Sequence, residues 1–154
     1  MADTQTGKGA AFQPDTDFPA GRIKVRVVTP ERILVDTEAT AITMPGEAGV
    51  LAAGPGSTPQ LTAIGAGDLL ITGGDAGGEQ KFVVARGFAE ILPDRVTVLV
   101  EYAESPEKVD KAAAEQLLQE GKKAEQEAGQ DPARYTAARR TVLEAEAKLG
   151  RPGQ

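Results

Sequence analysis

The residues of this chain that could carry chemistry are few, and the densest group lies in PGEAGVLAAGPGSTPQLTAIGAGDL, residues 45–69. Six glycines and three prolines in 25 positions either cradle a phosphate or make tight turns. Gly49 and Gly54, with four residues between them, match the first half of a phosphate-binding loop. That loop needs Lys and then Ser or Thr next, opening a helix whose N-terminus faces the phosphate. Here Pro55-Gly56 follow; Pro55 removes a backbone donor where donors are needed, and no helical start comes after. The phosphate reading fails, which leaves a surface loop that turns sharply and presents a shaped edge. Ser57 is no better as a nucleophile, with no Lys nearby in sequence and no histidine anywhere in the chain.

The other candidates are equally thin. Asp36 with Glu38, and Glu101 with Glu104, are close carboxylates of the kind used in acid–base work, but at strand ends such charges are usually solvated. Lys122-Lys123 with Arg139-Arg140 could face an anion, although helix-surface charges mostly pair along the helix. Tyr135 falls on an apolar stripe and reads as core. The chain has no Cys and no His, which removes disulfides, thiolate nucleophiles, Ser-His-Asp and Cys-His constellations and imidazole-held metals. We therefore expect no catalytic residue, metal or cofactor. Net charge is −6, so nucleic acid is not an expected partner. No apolar run reaches the roughly 18 residues of a membrane span and the N-terminus lacks a signal-peptide pattern, so a soluble protein of a cytoplasmic-type compartment is expected.

Three segments must position whatever these residues do. Residues 1–21 are polar and broken by Pro14 and Pro19, and read as a flexible arm. Residues 22–103 read as β. In IKVRVV, Ile23, Val25 and Val27 alternate with Lys24 and Arg26, the period of a half-buried strand. In ATAITM, Thr40, Ile42 and Met44 share a face. DLLITGGDAGGEQKFVVARG and GFAEILPDRVTVLVEYA are hairpin signals, the second turning at Pro93-Asp94. Val96, Val98 and Val100 share one face of the last strand, Thr97 and Leu99 the other. Short strands at this spacing predict an antiparallel β-sandwich.

Residues 104–150 change to Ala, Glu, Lys and Gln, good helix formers. Ser105-Pro106-Glu107 reads as N-cap, first-turn proline and first-turn acid of a helix running to about Ala128. Asp131-Pro132 repeats the signal for a second helix that Gly150 ends. The expected apolar stripes are Val109, Ala113, Leu117, Ala124 and Ala128, then Tyr135, Ala138, Val142, Ala145 and Leu149. A short turn between them makes an antiparallel two-helix hairpin, with residues 151–154 as a tail. So few large side chains make the hairpin marginal alone, because ordering costs about 1–2 kcal/mol per residue.

Several segments, in order, resemble one family. These are VRVVTPERILVDTEATAITMPG, PGSTPQLTAIGAGDLLI, RGFAEILPDRVTVLVEYAE and VDKAAAEQ. Together they are similar to the epsilon subunit of F-type ATP synthases, over about residues 22–150. The resemblance implies a non-catalytic rotor part of a proton-translocating complex, peripheral on the cytoplasmic face of the bacterial inner membrane and without direct membrane insertion. It implies the gamma subunit and the c-ring as partners. It also implies an alpha/beta head that the hairpin reaches when extended, slowing ATP hydrolysis. Partner contacts carried over by the motif are Glu47, Ser57, Thr58, Pro59 and Thr62, with Ser57 standing where the family commonly has His and Gln60 where it has Leu. Some members bind ATP through an Ile/Leu-Asp-x-x-Arg-Ala segment. Here the matching positions are Val109, Asp110 and Ala113, and the arginine is missing, so no tight ATP binding is expected. The competing reading is a small β-domain adaptor that binds another protein through the 45–62 loop; an enzyme is a distant third.

Overall fold

The computed structural model describes residues 21–150, so the expected arm, but for its last residue Gly21, and the tail lie outside the described residues. Eight strands come first: β1 Ile23–Val28, β2 Ile33–Ala39, β3 Ala41–Gly46, β4 Gly49–Ala53, β5 Gln60–Ile64, β6 Gly67–Thr72, β7 Glu79–Ile91 and β8 Arg95–Glu104. A single 3-10 turn, Pro106–Lys108, leads to helices α1 Lys111–Ala128 and α2 Pro132–Lys148. The strand order is β2-β1-β8-β7-β5-β3-β4, with β6 joining β3 to β7. All pairings are antiparallel except β1 with β8, which is parallel. Parallel neighbours need a long crossover, and here the rest of the sandwich supplies it.

The two layers close on one core. Ile23, Val25, Val27 and the alternating Val96, Val98 and Val100 come from one side; Ile42, Met44, Leu69 and Ile71 come from the other. Thr40, expected beside Ile42 and Met44, is exposed. β7 passes between the layers. Val84 and Ala89 both point into the core although they are an odd number of residues apart, so the alternation flips once between them. The flip falls at Arg86, whose φ of 51° makes it the only non-glycine residue with positive φ among the described residues. Gly87 follows, and a Cβ there would strike the backbone carbonyl oxygen of Leu99. The same flip buries Val83 and Ala85 on the other face of β7, the side approached by α2 and the 3-10 turn.

The helical half differs from expectation at its start. Ser105 makes no side-chain cap, and Pro106–Lys108 forms only a 3-10 turn. Val109 is extended and buried, and Asp110 is the true N-cap of α1, its Oδ1 accepting from Ala113 N–H at 3.0 Å. The later start goes with a shifted stripe: α1 buries Ala114, Leu118, Gly121 and Ala128, while Ala113 and Ala124 are exposed. α2 is capped by Asp131, with Pro132 in its first turn, and buries Ala138, Val142 and Ala145. Tyr135, expected in the core, is 49% exposed.

Candidate functional site: partner-binding surfaces

The glycine-rich stretch is mostly strand. Gly49–Ala53 is β4, paired with β3 through Gly46 opposite Gly49, and Gln60–Ile64 is β5. The single 45–62 loop is thus a hairpin, an edge strand and a short turn, and only Glu47–Ala48 and Gly54–Pro59 lie between strands. Cross-strand pairing makes β4 and β5, overriding the glycine content that concealed them.

Ser57 is committed to that turn. Its Oγ accepts from Gly54 N–H at 2.9 Å and donates to Gly54 O at 2.8 Å. Gly56, at φ 77°, donates its N–H to Pro93 O at 2.8 Å, which ties the turn to the β7–β8 hairpin. Thr58 and Pro59 are exposed beside it. Ser57, Thr58 and Pro59 therefore cluster with Pro93-Asp94 at one end of the sandwich. Thr62 is half-buried in β5 opposite Ala89. Glu47 is at the other end of β4, about 17 Å away at strand rise. There its Oε1 lies 3.6 Å from Arg140 of α2. The structure brings three of the five expected contact residues together and sends Glu47 to the helices.

At that second end a groove of about 380 Å³ opens between α2 and the sandwich, lined by Arg86, Tyr135, Arg139, Arg140, Glu47 and Glu144 among others. Its cations are taken. Arg86 reaches Glu144 at 3.4 Å and Glu101 at 3.5 Å, Arg140 reaches Glu47, and Arg139 reaches Glu125 at 3.6 Å. Lys148 Nζ sits 2.7 Å from Glu144 Oε1 and 4.1 Å above the Tyr102 ring. Burial first, then the charges of Glu104 and Glu144, push the Tyr102 phenol above its ordinary value. Of the positions matching the ATP-binding segment, Val109 is buried, Asp110 is spent as a helix cap and Ala113 offers no donor. Each arginine facing the groove therefore meets a carboxylate, not an open phosphate seat.

The suspected acid–base pairs are also occupied. Asp36 holds Arg26 at 2.7 Å, Glu38 lies 3.6 Å from Arg22, and Glu104 accepts from Ser105 N–H at 3.2 Å. Lys123 lies 3.9 Å from Glu127 along its own helix, while Arg139 and Arg140 reach Glu125 and Glu47. No group of three potential metal ligands occurs among the described residues.

One surface went unread in the sequence. On the outward face of the sheet, Ala63 of β5, Phe88 of β7, Leu99 of β8, Val28 of β1 and Ile33 of β2 stand directly opposite one another in a single row. Phe88, Leu99 and Ile33 are each at least half exposed, and Leu61 nearby is 74% exposed. The sequence signal was a large apolar residue at each strand's polar positions; only the register shows that they line up.

The same chain matches the family model described as "ATP synthase, Delta/Epsilon chain, beta-sandwich domain" over residues 22–106. It is 39% identical over 108 residues to an ATP synthase epsilon chain of Koribacter versatilis, covering 70% of this chain and 72% of that one. Against an ATP synthase epsilon chain of Solibacter usitatus, identity is 36% over 141 residues, with 88% and 95% of the two chains covered. In solved structures, a chain of the Euglena gracilis mitochondrial ATP synthase (OSCP/F1/c-ring) superposes with a TM-score of 0.70 at 18% identity. That match covers 94% of this chain and 88% of that one, a likeness of fold.

Proposed function

Because the chain belongs to the ATP synthase epsilon-chain family, a non-catalytic subunit of the central stalk, we propose that its sandwich joins the gamma shaft to the c-ring of a proton-translocating synthase. On this reading the hairpin slows ATP hydrolysis when it leaves the sandwich and reaches the alpha/beta head. The subunit would sit peripherally on the cytoplasmic face of a bacterial inner membrane; no helix among the described residues is long and apolar enough to cross a membrane.

The observation that carries the hairpin's role is how it is held. Its interior is Leu118, Val142 and Ala145, with Leu117 and Leu149 packed against them, and it forms a cluster separate from the sandwich core. Toward the sandwich it offers the partly exposed ion pairs of Arg86 with Glu144 and Arg140 with Glu47. Such pairs contribute about 0–1 kcal/mol each. An arrangement separated by a few kcal/mol is one a partner can shift. The turn bearing Ser57, Thr58 and Pro59 is the reading's contact for the rotor end, with Thr62 behind it. Glu47 instead belongs to the hairpin's seat.

The reading is tested by mixing the full chain, and a chain ending at Glu104, with the gamma-containing catalytic complex of the same source. Binding of both, with only the full chain slowing ATP hydrolysis, is expected. Binding without slowing would remove the brake and keep the joint. No binding by either would discard the rotor role in favour of an adaptor using the 45–62 segment. ATP at millimolar concentration is expected to leave the melting temperature unchanged, and a rise of several degrees would contradict the account of the groove.

A further inference from the structure

One residue of β7 stands in a conformation that its type disfavours. Arg86 has φ 51°, in the left-handed region, where a side chain crowds its own backbone and glycine fits best. The flip between Val84 and Ala89 calls for such a backbone, but not for an arginine. Ala85 pairs with Tyr102 and Gly87 with Val100, which puts Arg86 level with Glu101 of β8. From there two of its nitrogens reach two different elements. Nε lies 3.5 Å from Glu101 Oε2, and Nη2 lies 3.4 Å from Glu144 Oε2 of α2. The other oxygen of Glu144 meets Lys148 Nζ at 2.7 Å, and Lys148 in turn lies over the Tyr102 ring of β8. Glu144 is the sheltered member, its side chain 18% exposed against 68% for Glu101. Two cations and two carboxylates thus close on one another across the boundary between sandwich and hairpin.

Resting on the reading of the hairpin as a movable brake, we propose that Arg86 is a positioning residue, a latch built into the bend of β7 that seats α2 on the sandwich. A left-handed non-glycine backbone persists only where the surrounding fold over-determines it, and such positions gather at switch regions. Here the ladder on either side fixes the bend, and the guanidinium at the bend reaches both β8 and α2. A planar fork serves two carboxylates at once, which a lysine ammonium on its flexible stem does less well. The latch needs no ligand, because all its charges belong to this chain. Salt weakens it, because Arg86 and Glu101 meet solvent. Val83 and Ala85 are buried yet lie outside the sandwich core cluster, on the side where α2 and the 3-10 turn approach. They are the surface that opens when the latch lets go.

The test uses Ala85, 3% exposed, as its reporter. The chain has no cysteine, so the full chain with Ala85→Cys carries a single thiol. Its labelling rate, divided by that of the same chain unfolded in urea, measures how often the hairpin lifts. Adding Arg86→Gly is expected to raise this ratio about fivefold at about 50 mM salt, and to make no difference at about 1 M. The strands of that variant should melt no lower, since glycine adopts the left-handed backbone freely. Arg86→Lys should fall in between. Glu144→Gln should also raise the ratio, and both changes together should raise it by less than the product of the two, because they break one shared contact. A thiol at Val83 repeats the measurement where Ala85→Cys disturbs the fold. Unchanged labelling in Arg86→Gly and Glu144→Gln would overturn the latch. So would faster labelling matched by earlier melting of the strands, which would make Arg86 a residue of the sandwich alone. The brake is read separately, by adding the chains to the gamma-containing catalytic complex and following ATP hydrolysis. Stronger slowing by Arg86→Gly is expected. Slowing by neither chain, with labelling changed as above, would discard the brake and leave the latch standing.

Discussion

In the sandwich, Ile23, Val25, Ile42, Met44, Leu69, Ile71, Val96 and Val98 share one cluster and none is exposed. In the hairpin, the interior is Leu118, Val142 and Ala145, and much of the seam is alanine and glycine. Burying one Ile, Leu or Val contributes about 1.5–3 kcal/mol, so the sandwich holds a large excess of burial and the hairpin a small one. The two regions are joined by partly exposed ion pairs, by Lys148 over Tyr102 and by the small buried patch of Val83 and Ala85, beside an open groove. One half is the more heavily packed and the other the more lightly packed, the contrast on which the proposed joint and brake rest. The hairpin's weakness is local, and its removal leaves the sandwich core closed.

The contrast breaks most visibly in the sandwich. Ile42→Ala leaves a void between the layers and should cost about 2–5 kcal/mol, read in a urea melt as loss of the whole fold. Gly121→Val should be smaller and confined to the helices. A Cβ at Gly121 already meets Val142 Cγ2 at 2.9 Å and Val142 N at 3.1 Å. Such overpacking forces α1 and α2 apart at about 1–3 kcal/mol. Circular dichroism should lose helical signal at lower temperature while the β signal melts as before.

Smaller again is Glu144→Gln, which removes one of the two carboxylates at Arg86 and the one at Lys148. It should loosen the hairpin by about 0–1 kcal/mol, and molar salt should reproduce the effect in the unaltered chain. The finest test is pH. The raised Tyr102 pKa favours the protonated phenol in the fold. Its contribution is fully present below the unfolded value of about 10 and is lost as pH rises through the higher folded value. Alkaline melting curves should show that loss, and Tyr102→Phe should remove it.

The sequence carried much of the architecture because its signals are local. Alternation in IKVRVV and RVTVLV, the Pro93-Asp94 turn and the Asp131-Pro132 cap each act within a few residues. What it concealed depends on distant pairing. β4 and β5 exist because β3 and β7 template them. The start of α1 was misread because Ser105-Pro106-Glu107 suits a helix locally, while burying Val109 keeps the chain extended until Asp110. Its stripe was misread because alanines on several faces leave the helical phase undetermined. The apolar row needs the register of five strands. Of the expected contact residues, Ser57, Thr58 and Pro59 proved to be neighbours, whereas Glu47 was tied to α2 by a pairing no local pattern carries.

The most direct measurement is amide hydrogen exchange across the whole chain at low and high salt. The account predicts protection at the global unfolding free energy in β1, β3, β6 and β8. It predicts far weaker protection in α1 and α2, with the difference widening as salt screens Arg86–Glu144 and Arg140–Glu47. Helices protected as strongly as the strands, and indifferent to salt, would contradict it.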